Sequence, residues 1–267
     1  RYAPLAKMQA KAMLEVSPEL ELFSSGPYPN QEWADKSAKV LASEVQYASL
    51  HYYSKTSQNY STLKDVEETC KEIFSAPETN LEVIKQMREC LGNGIHISFD
   101  EWNCWYAWYR PSSAAEGIYA AKMLHMLMHE SERLDVPVCC YFQPVGEGAI
   151  EIGPNESLLT GIGQSFSFLK SHRGGLLCRI DSMNEFEAAA TVKEGILTVT
   201  LINTDLNNSK VFMLNKCGQI MSAEVLSSEG LLPHSRFEKM DLTVTSEKGM
   251  FKAELPAHSI AKITMKI

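Results

Sequence analysis

The sequence predicts an α/β portion followed by an all-β portion, and a change of grammar near residue 175 is the main reason. Before it, apolar strand-like runs alternate with stretches of helical period. That alternation implies parallel strands joined by helices, and near-continuous apolar strands imply a sheet covered on both faces. After Gly175 the helical period gives way to short alternating segments separated by turns: FEAAATV, ILTVTLIN, KVFML, SAEVLSS, DLTVTSE, MFKAELP and SIAKITMKI. This is the pattern of an antiparallel β-sandwich. With the boundary near 173–177, the expected domains are 1–175 and 176–267. A chain of 267 residues, 45% of them hydrophobic, can bury the cores of one large domain or two smaller ones.

Each element has a local reason. Residues 4–16 have helical spacing and stop at Ser17-Pro18. LELFSS (20–25) is a short strand. Trp33, Ser37, Val40 and Leu41 fall on one face of a second helix, with Asn30 as its N-cap. VQYASLHYY (45–53) is a strand. Residues 61–90 form one long helix or two shorter ones divided near Ala76-Pro77. GIHISFD (94–100) is the next strand. Ala115, Tyr119, Met123, Met126 and Leu127 mark another helix, VPVCCYFQPV (136–145) a strand apolar on both faces, and GIGQSFSFLKSH (161–172) a last helix closed by Gly174-Gly175. Catalytic groups of a (β/α)8 barrel sit just past the C-terminal ends of its strands. His51 and Tyr53, Asp100 and Glu101, and Gln143 and Glu147 occupy such positions. Four strands are half a barrel, and a doubly wound open sheet fits the same pattern.

The net charge is −8 and unevenly placed: residues 176–267 hold 10 basic and 11 acidic residues, the remainder 15 and 22. No basic stripe exists for nucleic acid, and the field would repel a polyanion. No apolar run is long enough for a membrane span, and the first residues read as an amphipathic helix rather than a signal peptide. The seven cysteines (70, 90, 104, 139, 140, 178 and 217) lack zinc spacing, so no metal site is expected. They read as reduced structural thiols, Cys139 and Cys140 on opposite faces of a buried strand, which favours a cytoplasmic setting. The sequons NYS, NES and NNS leave a secreted one open.

The stretch HISFDEWNCWYAWYR (96–110) ends a strand in two acids and places Trp102, Trp105, Tyr106, Trp108 and Tyr109 directly after them. A strand-end carboxylate is often an ion-paired residue, and aromatics often pack the core. Together they suit a carbohydrate, because indole and phenol faces stack on sugar C–H faces. Strand parity puts Glu101 on the face of Ile97 and Phe99, so a pocket role requires a barrel interior or a bulge. His51 and Tyr53 share a face with Ser49. Gln143 is a core amide or a ligand contact, and Glu147 is a second acid or a loop residue. GIGQSF lacks a dinucleotide loop's third glycine. His125 and His129, four apart, lack the rest of a metal motif, and the methionines around them read as core.

ISFDEWNCWY resembles the nucleophile motif of the glycoside hydrolase family 51 α-L-arabinofuranosidases. SLHYY is similar to that family's site motif on the preceding strand, YFQPV to its last barrel strand, and ELPAHSIAKITMKI to its final sandwich strand. The resemblance covers essentially the whole chain. It implies the C-terminal half of a (β/α)8 TIM barrel, strands five to eight, followed by an antiparallel β-sandwich. It further implies a retaining, cofactor-free enzyme that removes terminal α-L-arabinofuranosyl residues from arabinose-containing oligosaccharides or polysaccharides. Glu101 would be the nucleophile, His51 and Tyr53 would shape the site, Trp105 would wall the sugar pocket, and Gln143 would bond a sugar hydroxyl. Cys104 departs from the family's apolar residue. The family's acid/base Glu, in a Gly-Asn-Glu motif on the fourth barrel strand, has no counterpart here, and the helix at Arg1 is similar to the one that follows that strand. The resemblance therefore implies a partner in the upstream half of the same protein, and a homo-oligomer as in other members. The alternatives are a non-catalytic carbohydrate-binding or scaffold fragment, or a xylanase- or endoglucanase-type retaining hydrolase.

Overall fold

The computed structural model describes residues 1–26, 31–54, 65–92, 94–104, 111–146, 148–180, 186–215 and 217–267. The chain divides into two compact units, each built from several segments: Arg1–Ser54, Pro77–Cys104 and Glu130–Phe142 form the first, and Lys55–Ala76, Trp105–His129 and Gln143–Ile267 the second. Among the described residues no helix is long and apolar enough to cross a membrane.

In the first unit, helices α1 (Tyr2–Val16) and α2 (Gln31–Leu41) accompany strands β1 (Phe23–Ser24), β2 (Tyr47–Ser54), β3 (His96–Cys104) and β4 (Val138–Tyr141). The strands pair in parallel in the order β1-β2-β3-β4. Ala10 of α1, Leu41 of α2 and the residues Leu22 and Val45 that precede β1 and β2 form one core, while Leu50, Ile97 and Phe99 of the sheet lose all exposure. Helix α3 (Val66–Leu91) opens where the Asp65 carboxylate accepts the Glu68 N–H at 3.0 Å, an N-cap. It runs unbroken through Pro77. A proline lacks one N–H and crowds one carbonyl, and a helix of 26 residues keeps the rest of its ladder on either side. At the start of β3, Arg88 of α3 bonds the Ile95 carbonyl at 2.7 Å and Asp135 at 3.1 Å. Asp135 also meets His96 at 2.6 Å, and these bonds hold its backbone left-handed at φ 56°.

The expectation for VPVCCYFQPV needs correction. Its strand is confined to Val138–Tyr141, and Cys139 and Cys140 are exposed free thiols rather than buried ones. Only β3 pairs with β4 among the described residues, so one of its edges lacks a neighbour. Sequence apolarity reports what a strand can cover, not what lies beside it.

Among its described residues the second unit contains α4 (Ala114–Glu130) up to His129, α5 (Gly161–Leu169) with a turn of 3-10 helix at Lys170–His172, and eleven strands. Strands β5 (Ile150–Ile152) and β6 (Ser157–Leu159) pair as an antiparallel hairpin. The others are β7 (Leu176–Leu177), β8 (Glu187–Lys193), β9 (Ile196–Asn203), β10 (Lys210–Asn215), β11 (Gln219–Ser227), β12 (Glu238–Asp241), β13 (Thr245–Glu247), β14 (Met250–Leu255) and β15 (Ser259–Lys266). They form an antiparallel six-stranded sheet, β12-β11-β15-β9-β8-β7, and a three-stranded one, β10-β14-β13. Val199, Leu201, Phe212, Val225, Phe251, Leu255 and Ile263, drawn from both sheets, share one core. DLTVTSE, expected as one strand, is two. Glu238–Asp241 pairs with β11 and Thr245–Glu247 with β14, and buried Leu242 lies on the connection between them.

Helices α4 and α5 touch through glycines. A β-carbon on Gly117 would lie 2.6 Å from the Gly161 carbonyl and overlap the Phe237 ring, and one on Gly161 would lie 2.6 Å from the Ser113 carbonyl. Close helix packing therefore accounts for Gly161 in GIGQSF.

Candidate active site

The two acids of FDEW share one face because β3 carries an extra residue. Along β2, Ser49 and His51 are two residues apart; their partners Ser98 and Glu101 on β3 are three apart. The other neighbour agrees, since Cys139 and Tyr141 on β4 pair with Phe99 and Trp102. This is a bulge, one of the two arrangements that strand parity left open for Glu101. It moves the strand's alternation by one residue, so Ile97, Phe99, Trp102 and Cys104 are buried while Glu101 turns toward His51.

On that face the side chains form a closed set of contacts. The Tyr53 hydroxyl donates to Glu101 Oε1. His51 Nδ1 lies 3.1 Å from Glu101 Oε2, and its Nε2 lies 3.3 Å from Asp100 Oδ1. Ser49 Oγ donates to Asp100 Oδ1 at 2.7 Å and lies 3.0 Å from His51 Nε2. Each oxygen of Glu101 thus meets a group on β2, and the imidazole joins the two carboxylates. Tyr53 is buried at 6% exposure, whereas the Glu101 side chain keeps a quarter of its surface exposed. A carboxylate fixed at both oxygens and still accessible can act as a nucleophile, a general base or a ligand contact. Next along β3, buried Asn103 donates to the Phe142 carbonyl at 2.6 Å and accepts the Cys104 N–H at 2.7 Å. Phe142 meets Tyr53 edge to face at 6.5 Å.

Of the residues expected from sequence, His51, Tyr53 and Glu101 come together. Trp102 does not join them. It is 1% exposed on the opposite face and packs edge-on to Tyr141 at 5.3 Å, so it belongs to the core. Trp105, Tyr106, Trp108, Tyr109 and Glu147 lie outside the described residues, as does the N-cap Asn30. Gln143 is exposed two residues past β4 and belongs to the second unit. His125 and His129 are taken up by protein contacts at Thr200 Oγ1 (2.7 Å) and the Ala188 carbonyl (2.8 Å). Among the described residues no group of three or more His, Cys, Asp or Glu could hold a metal ion. The hydroxyl of Ser49 is the contact that sequence reading passed over; its parity with His51 was the available signal.

No protein-family model matches the sequence, and no curated protein sequence does. Solved structures do. A family 51 α-L-arabinofuranosidase from Bifidobacterium longum superposes with a TM-score of 0.79 at 16% identity, over 99% of this chain and 62% of its own. An α-L-arabinofuranosidase from Thermotoga maritima, solved as an arabinose complex, gives 0.79 at 18% identity over 100% and 62%. A family 44 endoglucanase from Clostridium acetobutylium gives 0.65 at 14% identity over 97% and 60%. The chain spans about three fifths of the length of the solved structures it matches. At these identities the likeness is one of fold: the chain resembles a portion of the family 51 α-L-arabinofuranosidases, as its motifs do.

Proposed function

We propose that this chain is the C-terminal portion of a retaining exo-acting α-L-arabinofuranosidase, contributing strands five to eight of a (β/α)8 barrel and a C-terminal β-sandwich. Glu101 is its nucleophile. The observation that carries this reading is the bulge in β3, which presents Glu101 with both oxygens engaged by Tyr53 and His51. The structural likeness to family 51 enzymes supports it at the level of fold.

In this mechanism the Glu101 carboxylate attacks the anomeric carbon of a terminal arabinofuranosyl unit. The glycosidic oxygen leaves with a proton from a second carboxyl group about 5 to 5.5 Å away. The resulting glycosyl ester is then opened by water, which that second group deprotonates. Tyr53 and His51 hold the plane of the attacking carboxylate, so little orientational freedom is lost at the moment of reaction. By the family resemblance, Trp105 would wall the sugar pocket and Gln143 would bond a sugar hydroxyl. The acid/base residue comes from the upstream part of the same protein, and the isolated chain turns over natural substrates poorly.

A dinitrophenyl α-L-arabinofuranoside tests this, because its leaving group departs without a proton. Intact mass after incubation is expected to rise by one pentosyl unit, mapped to Glu101, and the adduct should persist for want of a base. A folded chain that gains no mass at Glu101 would sink the proposal. Retained sugar binding with no adduct would favour the non-catalytic binding reading. The family 44 endoglucanase likeness at TM-score 0.65 supports a second reading, a retaining endo-hydrolase. Faster labelling by an aryl cellobioside or xyloside than by the arabinofuranoside would favour it.

A further inference from the structure

The second unit contains a cavity of about 340 Å³ lined by Ser112, Val145, Ile150, Glu151, His234 and Arg236, among others. One wall is a loop that the protein holds firmly. The Gln164 amide accepts the Phe237 N–H at 2.9 Å and donates to its carbonyl at 2.8 Å. Ser235 Oγ accepts the Ala114 N–H at 3.0 Å, and the His234 N–H donates to the Ser112 carbonyl at 2.9 Å. These bonds keep His234 left-handed at φ 67°, a conformation that L-residues rarely adopt. The facing wall is the β5–β6 hairpin, tied down where the Thr160 hydroxyl donates to the Gly148 carbonyl.

The lining specifies a ligand. Ser112 contributes to the lining with its Oγ wholly shielded, so the polar groups a ligand can reach are those of Glu151, His234 and Arg236. Arg236 pairs with Glu151 at 2.7 Å, which cancels the charge but leaves further guanidinium donors and carboxylate lone pairs. An anion gains little there; adjacent hydroxyls can use both groups. Val145 and Ile152 expose an apolar shelf, 47% and 63% of their surfaces, suited to the C–H face of a ring. We infer that this cavity binds a neutral saccharide. The choice of probe rests on the proposed arabinofuranosidase function; the site itself rests on the lining.

Histidine-selective NMR on the Glu101→Gln chain reads the two sites separately, since His234 sits in the cavity and His51 beside residue 101. On titration with α-1,5-linked arabinotetraose, the His234 imidazole signal is expected to shift and saturate. Arg236→Ala should weaken that response about tenfold while leaving the His51 response as it was. A shift at His51 with none at His234 overturns this inference and leaves the proposed function standing. A His234 response insensitive to Arg236→Ala also overturns it. A His234 response to xylotetraose with His51 silent toward both sugars keeps the cavity as a saccharide site and removes the proposed specificity.

Discussion

Tyr53 and His51 reach Glu101 from alternate positions of one strand, and each engages a different oxygen. Removing the phenol hydroxyl in Tyr53→Phe deletes one hydrogen bond to a charged group, about 1.5–3 kcal/mol. The expected result is a 10- to 100-fold slower formation of the Glu101 adduct in the stopped mass assay, with the fold retained. Ser49 and Asp100 act one step further out, through the His51 ring. Asp100→Asn is expected to slow adduct formation about tenfold without abolishing it, whereas Glu101→Gln abolishes it. The sequence disclosed the residue types at this site but not which would meet. Asp100 and Glu101 are neighbours, and strict alternation separates neighbours onto opposite faces. The bulge is a property of the ladder and becomes visible only once both partner strands are in register.

Single elements carry two further tests. Gly117 lies where α4 passes Gly161 and the Phe237 ring. Gly117→Ala is therefore expected to lower stability by about 1–3 kcal/mol in a denaturant titration despite its better helix propensity, because overpacking outweighs that gain. Among the described residues a buried chain of bonds runs from His125 through Thr200 to His172 and Thr191, at 2.7, 2.8 and 2.8 Å. Burial holds His125 down to about 3 and His172 to about 4, the latter aided by the nearby Lys262 ammonium. Both stay neutral in the fold where the unfolded chain, near 6.5, takes up protons. Their contribution is complete above about pH 6.5 and is lost as pH falls toward 4 and then 3, at up to about 1.4 kcal/mol per pH unit for each. Thermal unfolding from pH 7 to 4 should show a steep loss that His172→Gln reduces. The helices and most strands were legible because burial on one face imposes a period. The divided DLTVTSE strand was not, since both pieces alternate and only the sheet each one joins separates them.

At the scale of the molecule, the three-stranded sheet ends in β10, whose Val211 and Met213 are 50% and 59% exposed, and the six-stranded sheet ends in β7, whose Leu176 is 79% exposed. Apolar strand edges of this kind recruit further strands. The chain is expected to associate as its concentration rises, measured by light scattering, and Val211→Lys with Met213→Lys to suppress that association. The order of strand types was legible in the sequence, with the parallel pairs of β1 to β4 first and antiparallel pairs after. The extent of β4 was not legible, because Cys139 and Cys140 are as apolar as core residues and their exposure depends on what packs on the faces of the sheet.

The bulge in β3 behaves like a shift of reading frame written in space. Upstream of it odd-numbered residues face the core, and downstream even-numbered ones do, so Ile97, Phe99, Trp102 and Cys104 are all interior. Deleting Asp100 would restore a uniform frame while keeping Glu101 opposite His51 and Trp102 in its place. One codon thus separates a site holding two acids from a site holding one, with every residue on either side of it left facing the same way.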